Sequence, residues 1–315
     1  MKNKPVLLSL IASAVLIAAG IAASQPAAVM AKAVRECVWS VSELDKKRFS
    51  IQAAATLVQN ANLRGFFTGK IYQGAAKQIC VPGLNCYSCP GTVGACPVGS
   101  LQSFLASRPV RLPYYVVGLL IFFGAVLGRA VCGFLCPFGF IQELVHKIPF
   151  PVKTNRFRAD KPLRKLKYLI LALTLILPLL FARIPFFCKY LCPSGTIAGV
   201  LLALGDKLIR PMLGGMFAWK VAILIVIVIS MLIIWRPFCK YLCPLGAIYG
   251  FFNRFALYRM ETDADKCISC GKCSAVCRMC ADPKTDPNST ECIRCGDCVR
   301  VCPTGAISCG FKTKK

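Results

Sequence analysis

The densest chemistry in the chain is the run "CISCGKCSAVC" from Cys267, followed by "CIRCGDCVRVCP" from Cys292. Both runs space their cysteines as Cys-x2-Cys-x2-Cys-x3-Cys. Three thiolates so close together wrap three corners of an iron–sulfur cube, and the fourth, after a longer step, ligates the other cube. That assigns Cys267, Cys270, Cys273 and Cys302 to one [4Fe–4S] cluster, and Cys292, Cys295, Cys298 and Cys277 to a second. Paired zinc knuckles compete for this pattern, but the x2-x2-x3 step wraps a cube rather than a tetrahedron. Pro303 follows Cys302 as such runs require, whereas Arg278 stands where a proline is expected after Cys277. Cys280 and Cys309 are left over and read as spare thiols.

A second frame, Cys-x3-Cys-Pro-x-Gly, occurs in "VCGFLCPFGFIQEL" from Val131, "FCKYLCPSGTIAGV" from Phe187 and "FCKYLCPLGAIYGF" from Phe238. Each copy supplies two thiolates and a [4Fe–4S] cluster takes four, so two copies must meet or other cysteines must contribute. Cys132, Cys136, Cys239 and Cys243 complete one cluster, with Arg129 and Arg236 each three residues ahead of the first cysteine to offset its negative charge. Cys188 and Cys192 need partners from "CVPGLNCYSCPGTVGACPVGSLQ", where Cys86, Cys89 and Cys96 stand in a Gly/Pro-rich loop suited to wrapping a cluster. By analogy with the other Cys-Pro turns the first set is Cys89, Cys96, Cys188 and Cys192. A self-contained Cys80, Cys86, Cys89, Cys96 site and outer-face disulfides stay open beside it. Two clusters follow from the spacing, and up to four from all the cysteines.

The elements that must position these thiols are oily. The chain has 315 residues, 56% hydrophobic, with 21 cysteines and a formal net charge of +26. A chain this apolar is expected to be an α-helical integral membrane protein with basic loops. Each Cys-x3-Cys-Pro turn follows an apolar run: Leu112 to Gly128, Tyr168 to Ala182 and Val221 to Trp235. A further run, Val6 to Ser24, is long enough to cross a core of about 30 Å at 1.5 Å per residue, either as an anchor or as a signal cleaved near "PAAVMAKA".

About four transmembrane helices result, in a multi-pass protein of the cytoplasmic membrane. The basic loop "HKIPFPVKTNRFRADKPLRKLK" falls inside. Simple alternation places the Cys132 and Cys239 turns on the cytoplasmic face and the Cys188 turn outside, with "TIAGVLLALG" as an interfacial or re-entrant helix. A helix of 15 to 17 residues rises roughly 23–26 Å, which sets the expected gap between the two faces. The expected division is 1–29 anchor or signal, 30–110 extracytoplasmic with the Cys-rich loop, 111–260 membrane domain with the repeats, and 261–315 a small α+β domain with two clusters in the cytoplasm.

Other chemistries are poorly served. His146 is the single histidine, which removes bis-histidine haem, and its amphipathic segment makes it an ordinary surface residue. No phosphate-binding glycine fingerprint follows a strand and no paired carboxylates stand ready for acid–base work. The basic residues flank oily runs without interleaved aromatics, so nucleic acid is not a partner and membrane lipid is. The chain therefore reads as an electron-transfer component, not a stand-alone enzyme.

From Leu112 to Ile307 the order of helix, "CGFLCPFG", basic loop, helix pair, "CKYLCPLGAIYG" and double cysteine run resembles the membrane polyferredoxins that serve periplasmic nitrate reduction as quinol-oxidising components. The related membrane part of the nitrous oxide reductase maturation flavoprotein is similar too. The resemblance implies four membrane helices, a C-terminal ferredoxin domain with 2[4Fe–4S] in the cytoplasm, and cluster ligation by Cys132, Cys136, Cys239 and Cys243. It implies electron relay between a cytoplasmic donor or the quinol pool and an extracytoplasmic redox protein such as a flavoprotein, with a quinone as a further cofactor. The Cys188 pair and the loop "NCYSCPGTVGACPVG" depart from that pattern and point to an additional outer cluster. The competing function is a maturation or metal-handling factor that supplies electrons for assembly of another metalloenzyme.

Overall fold

A computed structural model describes residues 43–107, 109, 112–181, 185–205 and 214–311. The apolar run from Val6 lies outside the described residues. The elements in chain order are α1 (Glu43–Gln59), α2 (Leu63–Thr68), α3 (Pro97–Leu105), α4 (Tyr114–Leu127), α5 (Ala130–Phe134), α6 (Pro137–Lys147), α7 (Asp160–Leu163) and α8 (Leu166–Leu180). A π-helical turn (Phe187–Leu191) precedes α9 (Pro193–Gly205), α10 (Gly215–Ile233), α11 (Pro237–Tyr241) and α12 (Pro244–Phe252). The chain then forms β1 (Tyr258–Thr262), α13 (Lys272–Val276), α14 (Asp297–Val301) and β2 (Ile307–Phe311).

The repeat is physical. An apolar helix leads into a short turn bearing the first cysteine, and the second cysteine breaks that turn and caps a new helix. Proline forces this break: the residue before it is pushed to extended backbone, and proline itself suits the first helical position. Cys136, Cys192 and Cys243 accordingly share φ/ψ near −85/115°, −69/111° and −76/114°. Cys96 adopts −76/127° ahead of α3, so the Cys-rich loop carries the same cap.

The first and third repeats exchange helices. α6 packs on α10, and α12 packs on α4 and α8. Phe138 and Phe238 meet edge to face at 5.1 Å in the middle of this arrangement. Trp235, Leu245 and Tyr249 fill the same core.

Residues 43–105 also pack into that core. α1 lies against α5 and α6, where Arg48 makes a two-pronged contact with Glu143 at 2.8 and 3.1 Å. Gln59 donates to the Leu135 carbonyl at 2.7 Å. A Cβ at Gly83 would come within 2.9 Å of the Cys136 Cα, so the Cys-rich loop runs directly over the Cys136 turn.

Among the described residues α10 is long and apolar enough to cross a membrane, and α4 is a shorter apolar helix. The α4, α8 and α10 surfaces expose large apolar side chains, including Phe122, Leu180 and Ile225.

The C-terminal part is the expected small α+β unit. β1 and β2 pair antiparallel with Met260 opposite Cys309, and α13 packs against α14.

Candidate metal centres

In the C-terminal domain each Cys-x2-Cys-x2-Cys run contains two left-handed residues flanking its middle cysteine: Ser269 and Gly271 at φ 56° and 73°, Arg294 and Gly296 at φ 56° and 87°. Such pairs turn successive amide groups to one side and make an anion-binding nest. Beside them are two hollows. One is lined by Cys277, Cys292, Cys295 and Cys298. The other is lined by Cys267, Cys270, Cys273 and Cys302. These are the crossed quartets that the spacing predicts.

Arg278, in the position where proline is expected, reaches out of this domain. Its guanidinium stands 5.6 Å from the Trp235 ring centroid and its Nε 3.8 Å from Asp297. The departure from the motif therefore holds the domain against the helical part.

Cys132 and Cys239 lie on α5 and α11, while Cys136 and Cys243 cap α6 and α12. All four are buried and are electrostatic neighbours of one another. The Gly246 amide donates to the Cys243 sulfur at 3.3 Å. Gln142 donates to the Cys239 sulfur at 2.9 Å and accepts from the Phe238 amide at 3.1 Å.

The two arginines act crosswise. Arg129 donates to the Cys239 carbonyl at 2.6 Å, and Arg236 donates to the Cys132 carbonyl. Their charges are balanced by Glu291 at 2.8 Å from Arg129 and Glu143 at 2.9 Å from Arg236. Burial alone would raise the Glu143 carboxyl, but Arg236 and Arg48 together hold it below the usual carboxylate range. Glu291 is likewise raised by burial and more strongly lowered by Arg129 and Lys167.

Gln142, Glu143 and Glu291 escape a reading of the sequence, because none stands at ligand spacing. The only signal is that Gln142 and Glu143 sit in the segment "GFIQELVHKI", on the turn after Cys136. His146, expected as a surface residue, is half-buried and its Nδ1 lies 2.8 Å from the Met231 carbonyl.

The sites adjoin. A Cβ at Gly133, next to Cys132, would meet the Ile293 carbonyl at 2.7 Å, and Cys277 and Cys295 pack against the core that holds Cys132. The Cys188 turn is close as well: Phe187 lies 6.3 Å from Phe238, ring centroid to centroid, and Cys192 and Cys243 share one core. The expected helix-length gap between the Cys188 and Cys239 turns is absent. α8 carries Pro178 and ends at Leu180, and the π-helical turn then brings Phe187 back into the core.

Cys188 and Cys192 are neighbours of Cys86 and Cys96. Cys89, expected in this set, bonds its amide to the Cys86 carbonyl at 3.0 Å and neighbours Lys77. Cys80 stands 3.5 Å from the Ser100 hydroxyl.

Among the described residues no three of His, Cys, Asp and Glu draw close enough to share a single metal ion. A tetrahedral zinc at about 2.3 Å from each thiolate needs its sulfurs within roughly 4 Å of one another. Four cysteines lining one hollow supply the four thiolates that a multi-iron cluster takes.

Cysteine-capped helices with a double-hollow domain docked on them define a ferredoxin-type iron–sulfur electron-transfer protein. Residues 112–156, 167–211 and 216–259 each match a family model described as a 4Fe-4S binding domain, and these are the three helix–turn–helix repeats. A second 4Fe-4S binding domain model matches residues 286–308.

The chain is 31% identical over 180 residues to the methylamine utilization ferredoxin-type protein MauN of Paracoccus denitrificans, covering 56% of this chain and 58% of that protein. It is 29% identical over 192 residues to the ferredoxin-type protein NapH of Haemophilus influenzae, covering 58% and 59%. Over 160 residues it is 29% identical to the regulatory protein NosR of Stutzerimonas stutzeri, covering 49% and 20%. The chain thus spans less than two thirds of each of these relatives. No solved structure matches it. Over about half its length the chain is thus similar to ferredoxin-type proteins of the NapH and NosR kind, and the stretches that match carry 4Fe-4S binding domains.

Proposed function

We propose that this protein is an electron relay of the cytoplasmic membrane, passing electrons between a cytoplasmic donor or the quinol pool and an extracytoplasmic redox partner. Three [4Fe–4S] sites carry the reading: Cys267, Cys270, Cys273 and Cys302; Cys277, Cys292, Cys295 and Cys298; and Cys132, Cys136, Cys239 and Cys243. When bound, such a cluster takes up and releases single electrons.

The chain's own part is to hold the sites in contact, with the third buried and the Cys267 quartet at the surface, where Cys270 is exposed. The supporting observation is their continuity: the hollow of Cys292 and Cys295 abuts the core containing Cys132, with Ile293 seated on Gly133. Arg129 and Arg236 place positive charge beside the third site, where it favours an anionic cluster.

Sidedness rests on the basic loop. Arg156 donates to the Ser274 carbonyl, and Arg164 to the Cys280 carbonyl at 3.2 Å, so this loop binds the ferredoxin domain. A basic loop belongs on the cytoplasmic side, and the domain it grips goes with it. The exposed apolar faces of α4, α8 and α10 are too extensive for water and suit lipid.

The test is iron and acid-labile sulfide on anaerobically purified protein, with EPR during a redox titration. Cys132→Ala and Cys239→Ala should each remove about four irons while both ferredoxin-domain signals persist. Unchanged iron in both variants would sink the third site.

A further inference from the structure

We infer that Cys86, Cys96, Cys188 and Cys192 form a fourth [4Fe–4S] site, half of whose ligands come from a loop outside every stretch matched by the family models. This rests on the reading of the Cys-Pro turns as cluster ligands and extends it to the Cys-rich loop.

The geometry is that of two Cys-Pro turns facing each other. Cys96-Pro97-Val98-Gly99 and Cys192-Pro193-Ser194-Gly195 each place a cysteine ahead of a helix, α3 and α9, with glycine three residues on. The glycines approach the opposite pair. A Cβ on Gly99 would lie 3.7 Å from the Cys188 sulfur, and one on Gly195 would lie 3.8 Å from the sulfurs of both Cys192 and Cys86. Four cysteines from two distant stretches therefore converge, and all four are free thiols.

The surroundings favour negative charge. The Gly195 amide donates to the Cys192 sulfur at 3.4 Å. The Gly99, Val98 and Asn85 backbone adjoins Cys96, and that of Ser88 adjoins Cys86. Lys220 is a charged neighbour of Cys86, Cys188 and Cys192 and donates to the Cys188 carbonyl at 3.4 Å. Two helix N-termini and a cation are thus directed at one cluster of thiols, the arrangement a thiolate-bound iron–sulfur cube needs.

The loop is braced for this purpose. Thr92 is fully buried, its hydroxyl lies 3.0 Å from the side-chain oxygens of both Asn60 and Asn85, and Lys77 donates to the Thr92 carbonyl at 2.7 Å. Gln102, also fully buried, accepts from the Cys188 amide at 3.3 Å and donates to the Thr174 carbonyl at 3.2 Å, tying α3 to the π-helical turn and α8. Tyr249 then joins this site to the third. It is fully buried, its hydroxyl donates to the Pro82 carbonyl at 3.0 Å, and Cys132, Cys136, Cys243 and Cys96 all stand near it.

The experiment uses the full chain, purified without oxygen and assayed for iron, sulfide and EPR signals. With the fourth site filled the wild type carries about sixteen irons. Cys86→Ala and Cys188→Ala each drop the count by about four and leave the other three signals intact, whereas Cys89→Ala and Cys80→Ala keep the full count. A wild type of about twelve irons, unaltered by Cys86→Ala, overturns the proposal. So does a loss of four irons in Cys89→Ala with none in Cys86→Ala, which would give the ligand place to Cys89.

Should Cys86→Ala not accumulate, Cys86→Ser in protein grown on 57Fe replaces one sulfur by oxygen. About one iron in sixteen then changes its Mössbauer parameters, and an unchanged spectrum overturns the site. Failure of the third site is read separately, from the iron lost or kept in Cys132→Ala.

Discussion

Arg129 donates to the carbonyl oxygen of Cys239 at 2.6 Å, although the two residues are 110 positions apart. Arg236 answers with a bond to the Cys132 carbonyl, so the first and third repeats exchange one guanidinium each. Both arginines are fully buried, and each meets a buried glutamate. Removing one partner from such a pair leaves an uncompensated charge in the core, which costs far more than the net worth of the pair.

Glu291→Gln is therefore expected to destabilise the protein by about 3–5 kcal/mol, because buried Arg129 and Lys167 both lose their counter-charge. The double change Glu291→Gln with Lys167→Met, which removes one of the two orphaned cations, should recover part of that loss. Thermal unfolding of detergent-solubilised protein measures both, and equal losses in single and double variants would refute the charge argument.

The same pairs make stability fall in acid. Glu143 and Glu291 have folded pKa values below the ordinary glutamate value of about 4.3. A depressed carboxylate pKa contributes stability that is complete above the unfolded value and is lost as pH falls through the folded one. Unfolding temperature should hold steady from neutral pH down to about 5 on this account and drop below it. Glu143→Gln should be less stable at neutral pH, with a shallower acid slope.

Gln142 gives the Cys239 sulfur an amide hydrogen bond at 2.9 Å. Donors to cluster sulfur favour the more negative, reduced state. Gln142→Leu is expected to lower the midpoint potential of the third site by about 20–60 mV, the one-electron equivalent of a bond worth roughly 0.5–1.5 kcal/mol. An EPR-monitored titration reads it, and an unchanged or raised potential would exclude this role for Gln142.

Topology is open to a direct check at Lys266, an exposed residue of the ferredoxin domain with 65% of its side chain accessible. With a cysteine introduced by Lys266→Cys, a membrane-impermeant maleimide should label the protein in inverted vesicles and spare it in intact cells. Labelling in intact cells would reverse the proposed orientation.

The sequence by itself determined whatever depends on neighbours along the chain. The crossed quartets of Cys267 to Cys302 follow from steps of two and three residues, and the hollows lined by Cys277 and Cys302 partition as that spacing dictates. The helix breaks at Cys136, Cys192 and Cys243 follow from the proline after each cysteine, because its ring fixes the backbone locally.

Tertiary structure alone decided which distant turns meet. Cys86 and Cys89 are equally plausible in a Gly/Pro-rich loop, and only packing of that loop against α9 sets the Cys86 sulfur beside Gly195. Hydropathy puts the Cys188 turn a helix length from Cys239, yet the contact of Phe187 with Phe238 closes that distance. Glu143, Glu291 and Gln142 were invisible for the same reason: each acts on a partner at least 90 residues away, and no local spacing encodes a long-range contact.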